Sequence, residues 1–197
     1  MPKIDAQRLL ADLRHLRSIG AQGIGVVRPA LSAADMEARR WLRGRYQAAG
    51  LAATIDGVGN LLGRSPNPGP GLLIGSHSDT QPTGGWLDGA LGVIYGLEVV
   101  RALAEDPETQ HLCVDAVSWQ DEESRFFGCL GSRSFCGLMP AEVEEGLRDK
   151  DGVALGEAIA EAGLRDTPRL SVERERYLGF LEAHIEQGPH LEDDGQK

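Results

Sequence analysis

The stretch Gly75–Asp88, GSHSDTQPTGGWLD, sets a histidine at a strand end and two carboxylates in the glycine-rich loop that follows. Leu72–Ser76 is a short, largely apolar run bounded by turn residues, the pattern of a buried strand. Behind the loop, ALGVIYGLEVVRAL (90–103) is apolar almost all round, the pattern of a buried helix. Two further runs read as core strands, LCVDAVSW (112–119) and YLGFLEAHI (177–185). Each carries polar groups at its C-terminal end, Glu122 and Glu123 in WQDEES and His184 in EAHIEQGP. Strand, helix, strand is an α/β order, and in open α/β sheets ligands and chemistry gather beyond the carboxyl ends of the strands.

His77, Asp88, Glu122, Glu123 and His184 together make a nitrogen and oxygen ligand set suited to zinc or manganese at a hydrolytic centre. Each alone has an ordinary explanation. A histidine on an apolar strand packs, Asp88-Gly89 is a common turn dipeptide or helix N-cap, and Glu122-Glu123 is a solvated charge pair. Their shared placement at strand ends is what favours a metal centre.

The rest of the chain supports one soluble α/β unit. An amphipathic helix (5–18) leads through a glycine-rich link (20–25) to a second helix, where Ser32 and Asp35 form a capping box and Gly50 takes the C′ position. Strands are expected at 51–56 and around 60–64, with the turn Gly57-Val58-Gly59 between them, and SPNPGPG (65–71) must be a surface loop. Residues 141–166 form a polar helical region centred on VALGEAIAEAG (153–163). A formal charge of −10 argues against nucleic acid or an anionic membrane surface as the main partner, since both need clustered Lys and Arg. No leader pattern opens the chain and no apolar run reaches membrane-spanning length, so a cytoplasmic location is expected. Three cysteines without CxxC spacing fit reduced thiols, and no Cys-His-Asn pattern supports a nucleophilic role for Cys129 or Cys136.

GSHSDT, GGWLDGALGV, QDEESRFFGCLGSRSF and EAHIEQGP, in this order, resemble the amidase/hydantoinase/carbamoylase family of two-metal amidohydrolases. That family includes N-carbamoyl-L-amino-acid hydrolases, allantoate amidohydrolases and β-ureidopropionases. The resemblance implies an aminopeptidase-like catalytic domain, a mixed sheet flanked by helices. It also implies that residues 1–197 are the N-terminal portion of that domain, incomplete at the C-terminus. The remainder, a lid and dimerisation domain and a further His ligand would then follow Lys197, and the full-length protein would be a homodimer. Carried over, the resemblance makes His77 and His184 ligands of one divalent ion, Glu123 a ligand of a second, Asp88 the bridge between them, and Glu122 the general base. Asp79, two residues from His77 on the same face of an extended segment, is placed to accept the other ring N–H. Gln187 matches a position the family puts near substrate. Arg125 and Arg133 are read as structural donors to loops rather than as anion binders.

The implied activity is hydrolysis of the ureido C–N bond of an N-carbamoyl-L-amino acid or related ureido acid, with two zinc, manganese, cobalt or nickel ions as cofactors. A dipeptidase or aminoacylase of the same architecture is the alternative, disfavoured by His184 where those enzymes have a carboxylate. A non-catalytic metal-binding fragment is the other.

Overall fold

The computed structural model describes residues 1–196. In chain order the elements are α1 (Ala6–Ser18), β1 (Ala21–Gln22), β2 (Gly25–Val26), α2 (Ala33–Ala48), β3 (Ala52–Ile55), β4 (Leu61–Arg64), β5 (Gly71–His77) and α3 (Ala90–Glu105). They continue with β6 (Val114–Trp119), α4 (Leu130–Phe135), α5 (Ala141–Glu145), α6 (Leu155–Glu161), β7 (Tyr177–Leu181) and α7 (His190–Asp193). Five strands form one mixed sheet in the order β3-β4-β6-β5-β7. β5 runs parallel to both β6 and β7, whereas β4 is antiparallel to β6. The carboxyl ends of β5, β6 and β7 therefore open on one side of the sheet, and the expected mixed α/β architecture is the one found.

α3 crosses from β5 to β6, lying between the sheet and α1. Val93, Ile94 and Leu97 on it are fully buried, each such side chain contributing roughly 1.5–3 kcal/mol, which is why a helix apolar all round is stable here. α1, α2 and α3 cover one sheet face around Leu61 and Ala116. The other face holds a smaller cluster of Leu62, Leu73, Val117, Trp119 and Phe135.

Asp5 caps α1 by accepting from the amides of Gln7 and Arg8. Ser32 caps α2 through the amide of Asp35. The capping box expected there closes differently: the Asp35 carboxylate accepts from the Leu31 amide, one residue outside the cap, because it is also bound by Arg39 in the interior. The glycine-rich link is more than a link. It folds as the β1–β2 ribbon, and Val26 exchanges both backbone hydrogen bonds with Gly84 of the loop that carries Asp88. The polar region after residue 140 holds two short helices rather than one.

β7 departs most from expectation. Read from its apolar run as a core strand over 177–185, it stops at Leu181 and lies at the sheet edge with Leu178 73% and Phe180 43% exposed. It is anchored from below: buried Asp115 on β6 accepts from Arg176, from the Tyr177 hydroxyl and from the Ser65 amide. Removing one partner of a buried ion pair leaves the rest uncompensated, so Asp115→Ala is expected to cost about 3 kcal/mol. Urea unfolding measures this, and an unchanged midpoint would mean that packing alone holds β7. Among the described residues no helix is long and apolar enough to cross a membrane.

Candidate metal centre

The strand ends build the site in three pieces. His77 closes β5, buried to 1% exposure. Asp88 comes from the loop leading into α3, and His184 from the segment after β7, which Ser76 holds through a hydrogen bond to Glu182. That segment passes close over α3 at Gly92, where a side chain would collide with the Ala183 carbonyl. Glu122 and Glu123 follow β6 on a loop pinned by Asp121, whose buried carboxylate accepts from the amides of Arg125, Phe126 and Phe127. Burial raises the Asp121 carboxyl above the usual range even though these three amides lower it.

His77 Nδ1 faces the Asp79 carbonyl at 3.0 Å and His184 Nδ1 faces the Ile185 carbonyl at 2.9 Å. A carbonyl can only accept, so in both rings Nδ1 carries a proton, and in the neutral ring Nε2 then presents a lone pair. The two Nε2 atoms stand 3.5 Å apart, and Asp88 Oδ1 lies 3.2 Å from that of His184 and 3.7 Å from that of His77. Asp88 Oδ1 is buried and has no hydrogen-bond partner. With both rings neutral, three electron-pair donors converge here, an arrangement that a cation satisfies and that burial would otherwise penalise. His77, Glu122 and Glu123 form a second group, with Glu122 Oε2 3.5 Å from the same His77 Nε2. The residue common to both groups is His77, whereas the resemblance gives Asp88 the place between two ions.

Asp79 does its work through different atoms than expected. The main chain leaves the extended conformation after His77, so the carbonyl of residue 79 reaches the ring while its carboxylate stays 3.8 Å from Nδ1 and accepts from the Glu123 amide. Burial pushes the Asp79 carboxyl up. His77 and Arg39 oppose that shift, and Asp35 and Asp121 add to it. Gln187 donates to Asp88 Oδ2 at 2.6 Å, so here it braces a candidate ligand. Gln81, which sequence reasoning missed, does the same for Glu123 Oε2 at 2.9 Å. Arg28, Asp35, Arg39, Gln120 and Asp121 were also missed. Only the i,i+4 spacing of Asp35 and Arg39 offered a signal, and an exposed helical pair has the same spacing.

Arg125 donates to Asp149 and the Ala30 carbonyl, the structural bonding expected of it, whereas among the described residues Arg133 lies over the Phe127 ring instead of donating to a loop. All three cysteines are free. Burial pushes the Cys129 thiol up, and Glu122, 3.8 Å away, adds to it, the opposite of an activated nucleophile. His15 stacks on Trp41, away from the site. A cavity of about 760 Å³ adjoins Asp79, Gln81 and Glu123 and is floored by Leu31, Met36 and Ala158.

Residues 58–148 match the model of peptidase family M28. The chain is 38% identical to an N-carbamoyl-L-amino acid amidohydrolase of Geobacillus stearothermophilus, over 98% of this chain and 49% of that protein. It is 32% identical to a ureidoglycolate hydrolase of Oryza sativa subsp. japonica, over 98% of this chain and 42% of the other. Its fold superposes on the crystal structure of an amidase of the hydantoinase/carbamoylase family from Burkholderia phymatum with a TM-score of 0.97 and 57% identity, covering 99% of this chain and 48% of that one. The chain thus spans about half the length of the relatives it matches.

Proposed function

The chain belongs with the hydantoinase/carbamoylase amidases, whose members it matches over 98% or more of its own length, and on that premise we propose that the whole protein is a metal-dependent amidohydrolase. Its substrate is an N-carbamoyl-L-amino acid or a related ureido acid, and the bond cut is the ureido C–N bond. Water adds to the carbamoyl carbon, and the products are the free amino acid, carbon dioxide and ammonia.

The observation that carries this reading is the convergence of His77 Nε2, His184 Nε2 and the buried, unpartnered Asp88 Oδ1. His77, His184, Asp88 and Glu123 would hold divalent ions, which when bound would acidify water and polarise a carbonyl. The chain's own residues do the rest. Glu122, its side chain 39% exposed beside the ligand cluster, takes the proton of the attacking water and returns it to the departing nitrogen. Gln187 and Gln81 keep the Asp88 and Glu123 carboxylates turned toward the site. The cavity beside Glu123 has the size of a small-molecule site. The whole protein is proposed to work in the cytoplasm as a homodimer.

The match to a peptidase family favours a second reading, cleavage of a peptide or N-acyl bond at the same centre. Assaying the whole protein on N-carbamoyl-L-amino acids, N-acetyl amino acids and dipeptides separates the two. A ureido substrate should lead in kcat/KM by ~10-fold or more, because site groups that bind the terminal amide nitrogen are left unpaired by the others. Preference for a dipeptide would replace the first reading with the second.

A further inference from the structure

We infer that Arg39, from a helix remote in sequence from every ligand, is the positioning residue that sets the Glu122–Glu123 arm of the centre against the His77 arm. This rests on the metal-site reading above. Arg39 is fully buried in the middle of α2. Its Nε is held by Asp35 one turn back, at 2.9 and 3.1 Å. One terminal nitrogen donates to the Ser118 carbonyl at 3.0 Å, and the other donates to the Trp119 carbonyl and to Gln120 Oε1, both at 2.9 Å. Those acceptors are the last turn-out of β6 before the paired glutamates.

The guanidinium faces the other arm as well. Asp79 Oδ1 is buried without a hydrogen-bond partner, 3.8 Å from Arg39 and 3.8 Å from His77 Nδ1. The second oxygen of that carboxylate accepts the Glu123 amide. A fixed planar cation thus holds the end of β6 through its forked donors and holds Asp79 through charge, while Asp79 ties the Glu123 backbone to the loop after His77. Gln120 closes the frame by donating to Asp35 Oδ2 and accepting the Asp121 amide. A lysine would keep the charge and lose the fork, since its ammonium cannot serve collinear carbonyls and a carboxylate at once.

The test is cobalt binding by the metal-free whole protein, followed through the visible absorption of the bound ion, so that no turnover is needed. Arg39→Lys should bind cobalt ~10-fold or more weakly and with a shifted absorption band, the size of effect that residues supporting metal ligands have. Arg8→Ala, which removes ion pairs between α1 and α3, should lower the melting temperature yet keep the wild-type affinity and band. Wild-type affinity and spectrum in Arg39→Lys would overturn the inference. Should that variant fail to fold, Gln120→Met removes one acceptor of the fork, and an unchanged cobalt affinity there overturns the inference equally. A wild-type protein that binds no cobalt overturns the metal reading itself, and the inference with it.

Discussion

Glu122→Gln in the whole protein should lower turnover of an N-carbamoyl-L-amino acid by ~10²-fold or more while leaving the metal content unchanged, as loss of a general base does. The neighbouring Glu123→Gln should do the reverse first, losing metal and activity together. The two side chains follow one another on a single loop, yet their surroundings differ. Glu123 is held by Gln81 at 2.9 Å through its carboxylate and by Asp79 through its amide, the fixed posture of a ligand. Glu122 is tied through its backbone carbonyl, which accepts from the Cys129 amide, but its carboxylate has only the 3.8 Å contact to Cys129 Sγ, with its other oxygen 3.5 Å from His77 Nε2. A loosely held carboxylate beside the cluster can move a proton between water and a leaving nitrogen, which a ligand held on both sides cannot. Metal analysis beside steady-state kinetics reads the outcome, and metal loss in Glu122→Gln with retention in Glu123→Gln would exchange the two roles.

Gly89→Ala should abolish high-affinity metal binding, weakening it by ~10²-fold or more, at the upper end of what supporting residues contribute. Gly89 is the N-cap of α3 with φ at +61° and ψ at −44°, a positive-φ conformation that glycine adopts readily and residues with a Cβ do not. The larger effect is steric. A Cβ there would lie 2.4 Å from His77 Cδ2 and Nε2 and 2.5 Å from Cε1, so the ring has to move. His77 is 1% exposed and has no space to move into. The atom struck is the lone-pair nitrogen that faces Asp88 and His184. Isothermal titration with zinc measures the loss, and wild-type affinity in Gly89→Ala would show that the ring position in the structure is not the one used for binding.

The candidate ligands were legible in the sequence because His77, the Glu122–Glu123 pair and His184 stand at or just past the ends of apolar runs and Asp88 in the glycine-rich loop between two of them, and strand ends of a parallel arrangement share one side of a sheet. The buried helix after Asp88, the second strand before the glutamates and the glycine-rich loop between them follow from local periodicity and turn chemistry. Local pattern failed at β7, where an apolar run reads as core although its surface is open. Burial depends on what packs above a strand, and this chain spans about half of the relatives it matches.

His77, Asp88, Glu122, Glu123 and His184 as a group, the acidic balance and the α/β order were determined by the sequence alone. The tertiary structure decided which atoms meet. Only folding brings the Asp79 carbonyl rather than its carboxylate onto His77, seats Arg39 beneath the end of β6, turns Gln81 and Gln187 onto the ligand carboxylates, and presses Gly89 against a ring. The reason is physical. A residue's type and its spacing from neighbours fix its chemistry and its local conformation, but a buried hydrogen bond between positions about 80 apart, as between Arg39 and Trp119, exists only once the sheet has set the distance between them.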